Sequence, residues 1–431
     1  MPLFYVQWIV GALQANLRRG RRDRVAASFI PLVLRRLVPL LLLLLTLLAS
    51  ACGGDDDDGG GGERRGDGAP VLGASGDEEQ EEDAPALGFP VFATKNTTRV
   101  GGGDPVADAA GVARAVYPAR TDESSPRAVV VVEQDDWRAA ISASQLMAPP
   151  LRAPVLFSDG GELPAASAEA LEELAPSGAE EAKNAQVIRI GEAAMPEGRR
   201  VTEVKGSSPS SLAQAIDRLQ ASAAGDPSDT VVVAPADRQE FAMPAAAWAA
   251  KSGHPVLWTP RDTLPPETRA AIASRGKRVR IYVLGPEDAI SEAVLRQLDR
   301  LGTAKRVAGP DPVTNAIAFA RYADGRFGWN VVDPGHGLVF ANVSRTLDAA
   351  AAAPLSGSGK YGPLLLLSEP GAVPSAVQEY LLDIQPGFEQ DPVRGVYNHG
   401  WLMGDESAIT ADVQSRIDAL LEIQPVDTGG D

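Results

Sequence analysis

Cysteine is all but missing from this chain of 431 residues: Cys52 is the one copy. An intramolecular disulfide is therefore excluded, and so is any zinc site built on paired thiolates. Histidine is scarce too. His254, His336 and His399 lie far apart without metal-ligand spacing, so no metal site is expected. Aromatic residues make up only 5%, which leaves the core to Ala, Val and Leu. Basic charge is in deficit, with 40 Lys and Arg against 57 Asp and Glu and a formal net charge of -17. General nucleic-acid binding needs clustered cations facing phosphates, and this balance argues against it. Any anionic partner must meet a local basic pocket instead.

Long apolar runs are absent but for one, near the start. "RRLVPLLLLLLTLLASAC" places Arg35 and Arg36 before a Leu-rich run too short for a comfortable membrane span, then Ala49, Ser50, Ala51 and Cys52. That is the layout of a secretory signal. Its end resembles a bacterial lipobox, in which the cysteine thiol is acylated and becomes the mature N-terminus, although Ala49 stands where leucine is usual. Residues 1–51 are read as a signal peptide with an extended N-terminus. Cys52 is the expected lipidation site, with a plain secretion signal or an uncleaved anchor as the alternative. Residues 52–90, from "GGDDDDGGGGERRGDG" onward, are acidic and almost free of large side chains, so they read as an extended tether. The expected location is extracytoplasmic, on the membrane through a lipid anchor.

Past Pro90 the pattern changes to short apolar strands alternating with Ala-rich helices. "AVVVVE" from Ala128, "DTVVVAP" from Asp229 and "GLVFAN" from Gly337 are counterparts. Each leads through a helix to a proline-led strand: "APVLFSD" with Pro154, "HPVLWTP" with Pro255 and "GPLLLLSEP" with Pro363. A further helix and strand follow in each case. Strands buried on both faces between helices imply an α/β fold with parallel sheets and right-handed crossovers. The series recurs three times at intervals of about a hundred residues, so each copy is a lobe with its own sheet. The boundaries read as 91–198, 199–302 and 303–425, with a tail at 426–431. "RVGGGDPVADAAGVARAVY" from Arg99 and "RVAGPDPVTNAIAFARY" from Arg306 open copies one and three. "RVTEVKGSSPSSLAQAIDRL" opens copy two in degenerate form, without the Gly-Asp pair, and copy one loses its last helix after "IRIGEAAMPEG".

The order of these motifs resembles the type 2 cell-wall-binding repeat family of Gram-positive bacteria. Arg306, Val307, Gly309 and Asp311 match its opening phrase, as do Arg99, Val100 and Asp104. Pro154, Pro255 and Pro363 match its proline-led strand, and "YVLGPEDAIS" (Tyr282 to Ser291) is the nearest match of all. The resemblance implies three Rossmann- or flavodoxin-like lobes arranged as a pseudo-trimer. It also implies non-covalent binding to an anionic secondary wall polymer, with the proline-led strands linked to that binding. Pro105, Val106, Pro312 and Val313 depart from the family's Arg and Tyr after the opening aspartates.

Chemistry is otherwise thin. The "VGGGDP" loop lacks the third glycine of a dinucleotide fingerprint, and "SGSGKYG" has Tyr361 where a P-loop needs Ser or Thr, so no cofactor is expected. Asp333 and His336 in "VVDPGHG" lack a recognisable nucleophile motif, and no catalytic residue is assigned. Arg99 and Arg306, with Arg114 and Arg321 fifteen residues on, admit two readings. They hold an anionic ligand bidentately, or they pair with Asp104, Asp108 or Asp311 and fix the repeat interfaces. The leading expectation is a non-enzymatic, lipid-anchored wall-binding protein. Alternatives are a solute-binding or partner-docking lipoprotein on the same scaffold, and a hydrolase.

Overall fold

The three Val- and Leu-rich runs form the central strands of three separate parallel sheets, each buried on both faces. A continuous β-branched run needs cover on both sides, and the Ala-rich helices supply it. The computed structural model describes residues 90–426 apart from 277, 360 and 361, all within one compact unit. Cys52, the signal segment and the tether up to residue 89 lie outside the described residues, as does Tyr361. No helix among the described residues is long and apolar enough to cross a membrane.

The chain enters through β1 (Pro90–Ala93) and β2 (Thr97–Val100). The first repeat continues with α1 (Pro105–Val116), β3 (Val129–Glu133), α2 (Trp137–Ala143), β4 (Val155–Ser158), α3 (Ala165–Leu174) and β5 (Val187–Ile190). The second comprises β6 (Val201–Val204), α4 (Pro209–Ala224), β7 (Thr230–Pro235), α5 (Gln239–Ala242) and α6 (Pro244–Ser252). It ends with β8 (Val256–Thr259), α7 (Pro266–Ala273), β9 (Arg280–Leu284) and α8 (Glu292–Asp299). The third holds β10 (Thr303–Val307), α9 (Pro312–Arg321), β11 (Gly337–Asn342), α10 (Asp348–Ala351), α11 (Ala353–Gly357) and β12 (Leu364–Leu367). It closes with α12 (Ser375–Asp383), β13 (Gly387–Phe388), β14 (His399–Met403), α13 (Ala411–Leu421) and β15 (Gln424–Pro425).

Strand order is the same in all three sheets: β4-β3-β5-β6, β8-β7-β9-β10 and β12-β11-β14-β2, the last extended by antiparallel β1. The opening strand of each repeat therefore lies in the sheet of the repeat before it. For the first repeat that sheet belongs to the third, where Arg99 pairs in register with Leu402 and Val100 with Met403. The chain thus closes on itself as a pseudo-trimer of lobes. Where the repeats meet, α6, α11 and the turn at Ser144–Met147 touch one another. Met147, Ala250 and Ala353 pack together there. Small side chains are required at this contact: a Cβ on Gly357 would fall 2.7 Å from Met147 Cγ.

The repeated opening phrase is a helix-start device. Asp104, Ser208 and Asp311 each cap a helix whose first residue is proline, accepting the N–H of Ala107 (2.9 Å), Ser211 (3.1 Å) and Thr314 (3.0 Å). Cap and proline both suit the unpaired first turn. Two residues earlier stand Gly102, Gly206 and Gly309. A Cβ on Gly206 or Gly309 would lie 2.4 Å from the backbone nitrogen of Leu212 or Asn315. Copy two therefore keeps the device with Ser208 in place of aspartate. Copy one has no helix between β5 and β6.

Candidate functional site

The four arginines singled out by the repeats are committed to protein partners, each at its own junction. Arg99 is buried; its Nη1 donates to the carbonyls of Gly404 (2.8 Å) and Asp405 (3.0 Å), and its Nε to Gln414 Oε1 (2.8 Å). Arg306 does the equivalent work one lobe away, donating to the carbonyls of Gly285 (2.9 Å) and Ile290 (2.8 Å) and to Glu292 (2.8 Å). Both clamp the turn after the neighbouring strand. The remaining junction lacks a helix there and reverses the charges: Glu203 occupies the arginine position and pairs with Arg189 of β5 (2.7 Å). These hydrogen bonds do not go to Asp104, Asp108 or Asp311, the partners suggested by closeness in sequence. Asp104 and Asp311 cap helices, and Asp108 meets Arg345.

Arg114 and Arg321 also do equivalent work. Arg114 pairs with Glu173 of α3 (2.7 Å) and Arg321 with Asp383 of α12. The second repeat carries the same helix-to-helix contact inverted, as a buried pair between Asp217 of α4 and Arg275 (2.6 Å). Arg114 additionally lines a cavity of about 190 Å³ with Tyr117 and Arg120. Pro154, Pro255 and Pro363 are buried just ahead of edge strands β4, β8 and β12. Their carbonyls accept the N–H groups of Val130 (2.8 Å), Val232 (2.9 Å) and Val339 (3.1 Å). Proline suits the start of an edge strand, where no ladder donor is needed.

Cations gather instead at the carboxyl end of the second sheet, the end at which open α/β sheets hold ligands. Arg138 reaches over from α2 and donates through Nε to the carbonyl of Ala236, just past β7 (2.7 Å). Its guanidinium lies 4.4 Å over the Trp137 ring, which meets Trp258 edge-on at 5.3 Å. Ser142 Oγ holds the Trp258 indole N–H (2.9 Å). Arg238 lies 4.8 Å over Phe241 and pairs with Glu240 (2.7 Å). Arg261 donates to the carbonyl of Asp288 (3.1 Å), whose carboxylate lies 3.9 Å from Arg238. Arg238 and Arg261 keep 40% and 53% of their side chains exposed. The result is a rim of three arginines, two of them over aromatic faces and the third held by Asp262 and the Asp288 carbonyl, with Glu240 and Asp288 between them. Stacked guanidiniums are poised for planar anions.

The corresponding rims differ in charge. Past the strands of the first lobe come Asp135, Asp159 and Glu162; past those of the third come Glu369, Asp405 and Glu406, and Arg345, the counterpart of Arg238, is taken up by Asp108 and Asp348. A cavity of about 470 Å³ beside α3 is lined by Glu169, Glu172, Glu173 and Glu197 with Arg199, and does not suit an anion. The "VGGGDP" loop is likewise filled from within, since Gly102 N–H donates to the Asp108 carboxylate (2.8 Å). Of the sparse chemistry, His336 Nε2 sits 3.0 Å from Asp333, and no hydroxyl or thiol joins them among the described residues. His254 is half-buried and accepts from the Trp248 indole (3.1 Å), and His399 meets Thr98 Oγ1 (3.0 Å). No group of metal-ligating side chains occurs among the described residues.

Sequence reasoning missed Arg138, Arg238 and Arg261 because it looked for arginines repeated at equivalent positions. The rim is asymmetric, drawn from two repeats, and its signal was the aromatic-basic pair Trp137–Arg138.

Residues 204–295, the whole span from the end of β6 into α8, match the family model described as cell wall binding domain 2. Among solved structures the chain is similar to Cwp6 from Clostridium difficile, at 18% identity and TM-score 0.60, over 76% of this chain and 48% of that one. It is also similar to Cwp8 from Clostridium difficile, at 17% identity and TM-score 0.58, over 76% of this chain and 52% of that one. At these identities the likeness is one of fold, and the chain spans about half the length of the solved chains. No curated protein matches the sequence.

Proposed function

We propose, from the match of residues 204–295 to the cell wall binding domain 2 model, that this chain is a non-enzymatic surface protein that grips an anionic cell-wall polymer. The observation that carries the reading is the rim of Arg138, Arg238 and Arg261, two of which lie inside the matched segment. Each guanidinium is oriented by a ring or a carbonyl, so a phosphate or carboxylate meets donors already in place. Arg114, buried and paired with Glu173, serves binding only by fixing α1 against α3. Arg99 and Arg306 serve binding indirectly, by holding the lobes in register, and Pro154, Pro255 and Pro363 by setting the edge strands. Cys52 carries the lipid that keeps the protein at the membrane, and the acidic tether spans the gap to the wall.

The test is sedimentation with purified wall, before and after stripping of its anionic polymer. The wild-type protein co-sediments with intact wall and not with stripped wall. A folded Arg138→Ala, Arg238→Ala, Arg261→Ala variant loses most of its affinity. Binding indifferent to stripping sinks the mechanism. Replacing Cys52 by alanine is expected to release the protein from the membrane fraction.

A further inference from the structure

The rim carries charge of both signs. Past the strands of the second sheet, Arg238 and Arg261 share their loops with Asp237, Glu240, Asp262, Glu287 and Asp288, and Arg138 joins them from α2. Carboxylates thus outnumber guanidiniums, and a ligand bearing only negative charge meets repulsion along with attraction. Asp288 stands between two of the arginines. Its carbonyl accepts from Arg261 Nε (3.1 Å), while its carboxylate lies 3.9 Å from Arg238 and keeps 66% of the side chain exposed. Asp262 bonds Arg261 (2.9 Å) and is 63% exposed. Neither acid neutralises a buried cation, and exposed pairs of this kind add little to stability.

Nor does the fold require them. Counted back from the proline that leads the next helix (Pro164, Pro265 or Pro374), Arg261–Asp262 stands where the other repeats have Gly160–Gly161 and Pro370–Gly371. Counted on from the glycine that follows β9 or β14 (Gly285 or Gly404), Asp288 stands where the third repeat has Ser407. The sister lobes build these turns without the exposed charges. An ammonium alone would leave the guanidiniums unmatched. A phosphate or carboxylate alone, placed on Arg238, would face the Asp288 carboxylate across it. A group holding both charges satisfies the two sets at once.

We propose that the rim selects a zwitterionic stretch of polymer, in which phosphate or carboxylate groups are accompanied by ammonium groups. The anion lies on Arg138 and Arg238, which share one turn because Arg138 is bonded to the Ala236 carbonyl. The ammonium lies on Asp262 and Asp288, which act as specificity residues. The proposal rests on the wall-binding reading and narrows its ligand from anionic to amine-bearing and anionic.

Calorimetric titration with phosphoethanolamine, ethyl phosphate and ethanolamine tests it on the protein lacking residues 1–51, in a low-salt buffer at pH 7 where surface charges are least screened. Phosphoethanolamine is expected to bind about tenfold more tightly than either single-charge probe, the equivalent of about 1.4 kcal/mol. The double variant Asp262→Asn, Asp288→Asn should bind phosphoethanolamine and ethyl phosphate alike, and Arg138→Ala should weaken both. If the double variant does not fold by circular dichroism, Asp262→Asn takes its place, with the preference expected to shrink. Ethyl phosphate or ethanolamine binding as tightly as phosphoethanolamine, or a preference unchanged in the folded variant, overturns the proposal. A preference for phosphoethanolamine in a protein whose wall binding ignores polymer stripping removes the polymer reading alone.

Discussion

Arg345 hydrogen-bonds Asp108, 237 positions earlier in the chain, and with the same guanidinium holds Asp348. Two fully buried carboxyls share one cation at the seam where the first repeat's α1 packs against the third repeat's α10. Burial raises both carboxyls, and for Asp108 the neighbouring Asp348 adds to it; Asp348 reaches about 6. A carboxyl raised on folding stabilises fully below its unfolded value near 4, and that contribution is lost as pH rises through about 6. Asn315, equivalent to Asp108 in the third repeat, accepts from Gly309 N–H as Asp108 accepts from Gly102, so an amide can do the bracing. Asp108→Asn is therefore expected to be neutral or stabilising at pH 7.5, by up to about 2 kcal/mol. It should also flatten the decline in melting temperature between pH 4 and 7. Arg345→Met, which strands both acids, should cost about 3–5 kcal/mol. Thermal melts across pH, read as differences from wild type, decide both.

Gly206→Ala should destabilise by about 3 kcal/mol or more, since its Cβ would lie 2.4 Å from the Leu212 nitrogen and no side-chain movement relieves backbone overlap. Gly276→Ala is no substitute control, because Gly276 has positive φ. Gly371, open on all sides, is; its alanine variant should melt within about half a kcal/mol of wild type.

The three helix-to-helix ion pairs at equivalent places should differ in worth. Asp217 and Arg275 keep 6% and 2% of their side chains exposed, whereas Arg321 and Asp383 keep 41% and 60%. Arg275→Leu leaves a buried carboxylate and is expected to cost about 3–5 kcal/mol. Arg321→Leu is expected to cost less than about 1 kcal/mol. Urea unfolding of the two variants makes the comparison, and equal losses would refute it.

Wall binding through the arginine rim should weaken steadily with salt, because the ligand's counterions are released on binding. Removing Arg261, the most exposed member, should reduce both affinity and the steepness of that dependence. Co-sedimentation at a series of sodium chloride concentrations measures it.

Much of the scaffold could be read directly from residues. The "VVVV" runs, the proline-led strands and the Asp-Pro openings report local preferences, and local preferences are what the amino-acid order records. The threefold lobes and the loss of a helix after Gly191 follow from them. What could not be read is which sheet an opening strand joins. Thr97–Val100 has the same composition whether it pairs within its own lobe or with β14. The decision rests on Arg99 meeting carbonyls of residues 404 and 405, a contact without a local trace. The Asp108–Arg345–Asp348 cluster was hidden for the same reason. The second opening looked degenerate because aspartate was expected where serine caps equally well. The arginine rim escaped because it breaks the symmetry by which the rest was found.

The placement of β2 beside β14 also dictates an order of events. A growing polypeptide finishes β2 early, yet its resting place does not exist until residue 403 has been made. The first and second lobes are each supplied with all their strands by residue 307; the third must recruit one from the opposite end. Completing the third sheet therefore requires a pairing that spans the whole molecule. Anything that occupies the free edge of β14 beforehand, including a neighbouring copy, competes for that slot.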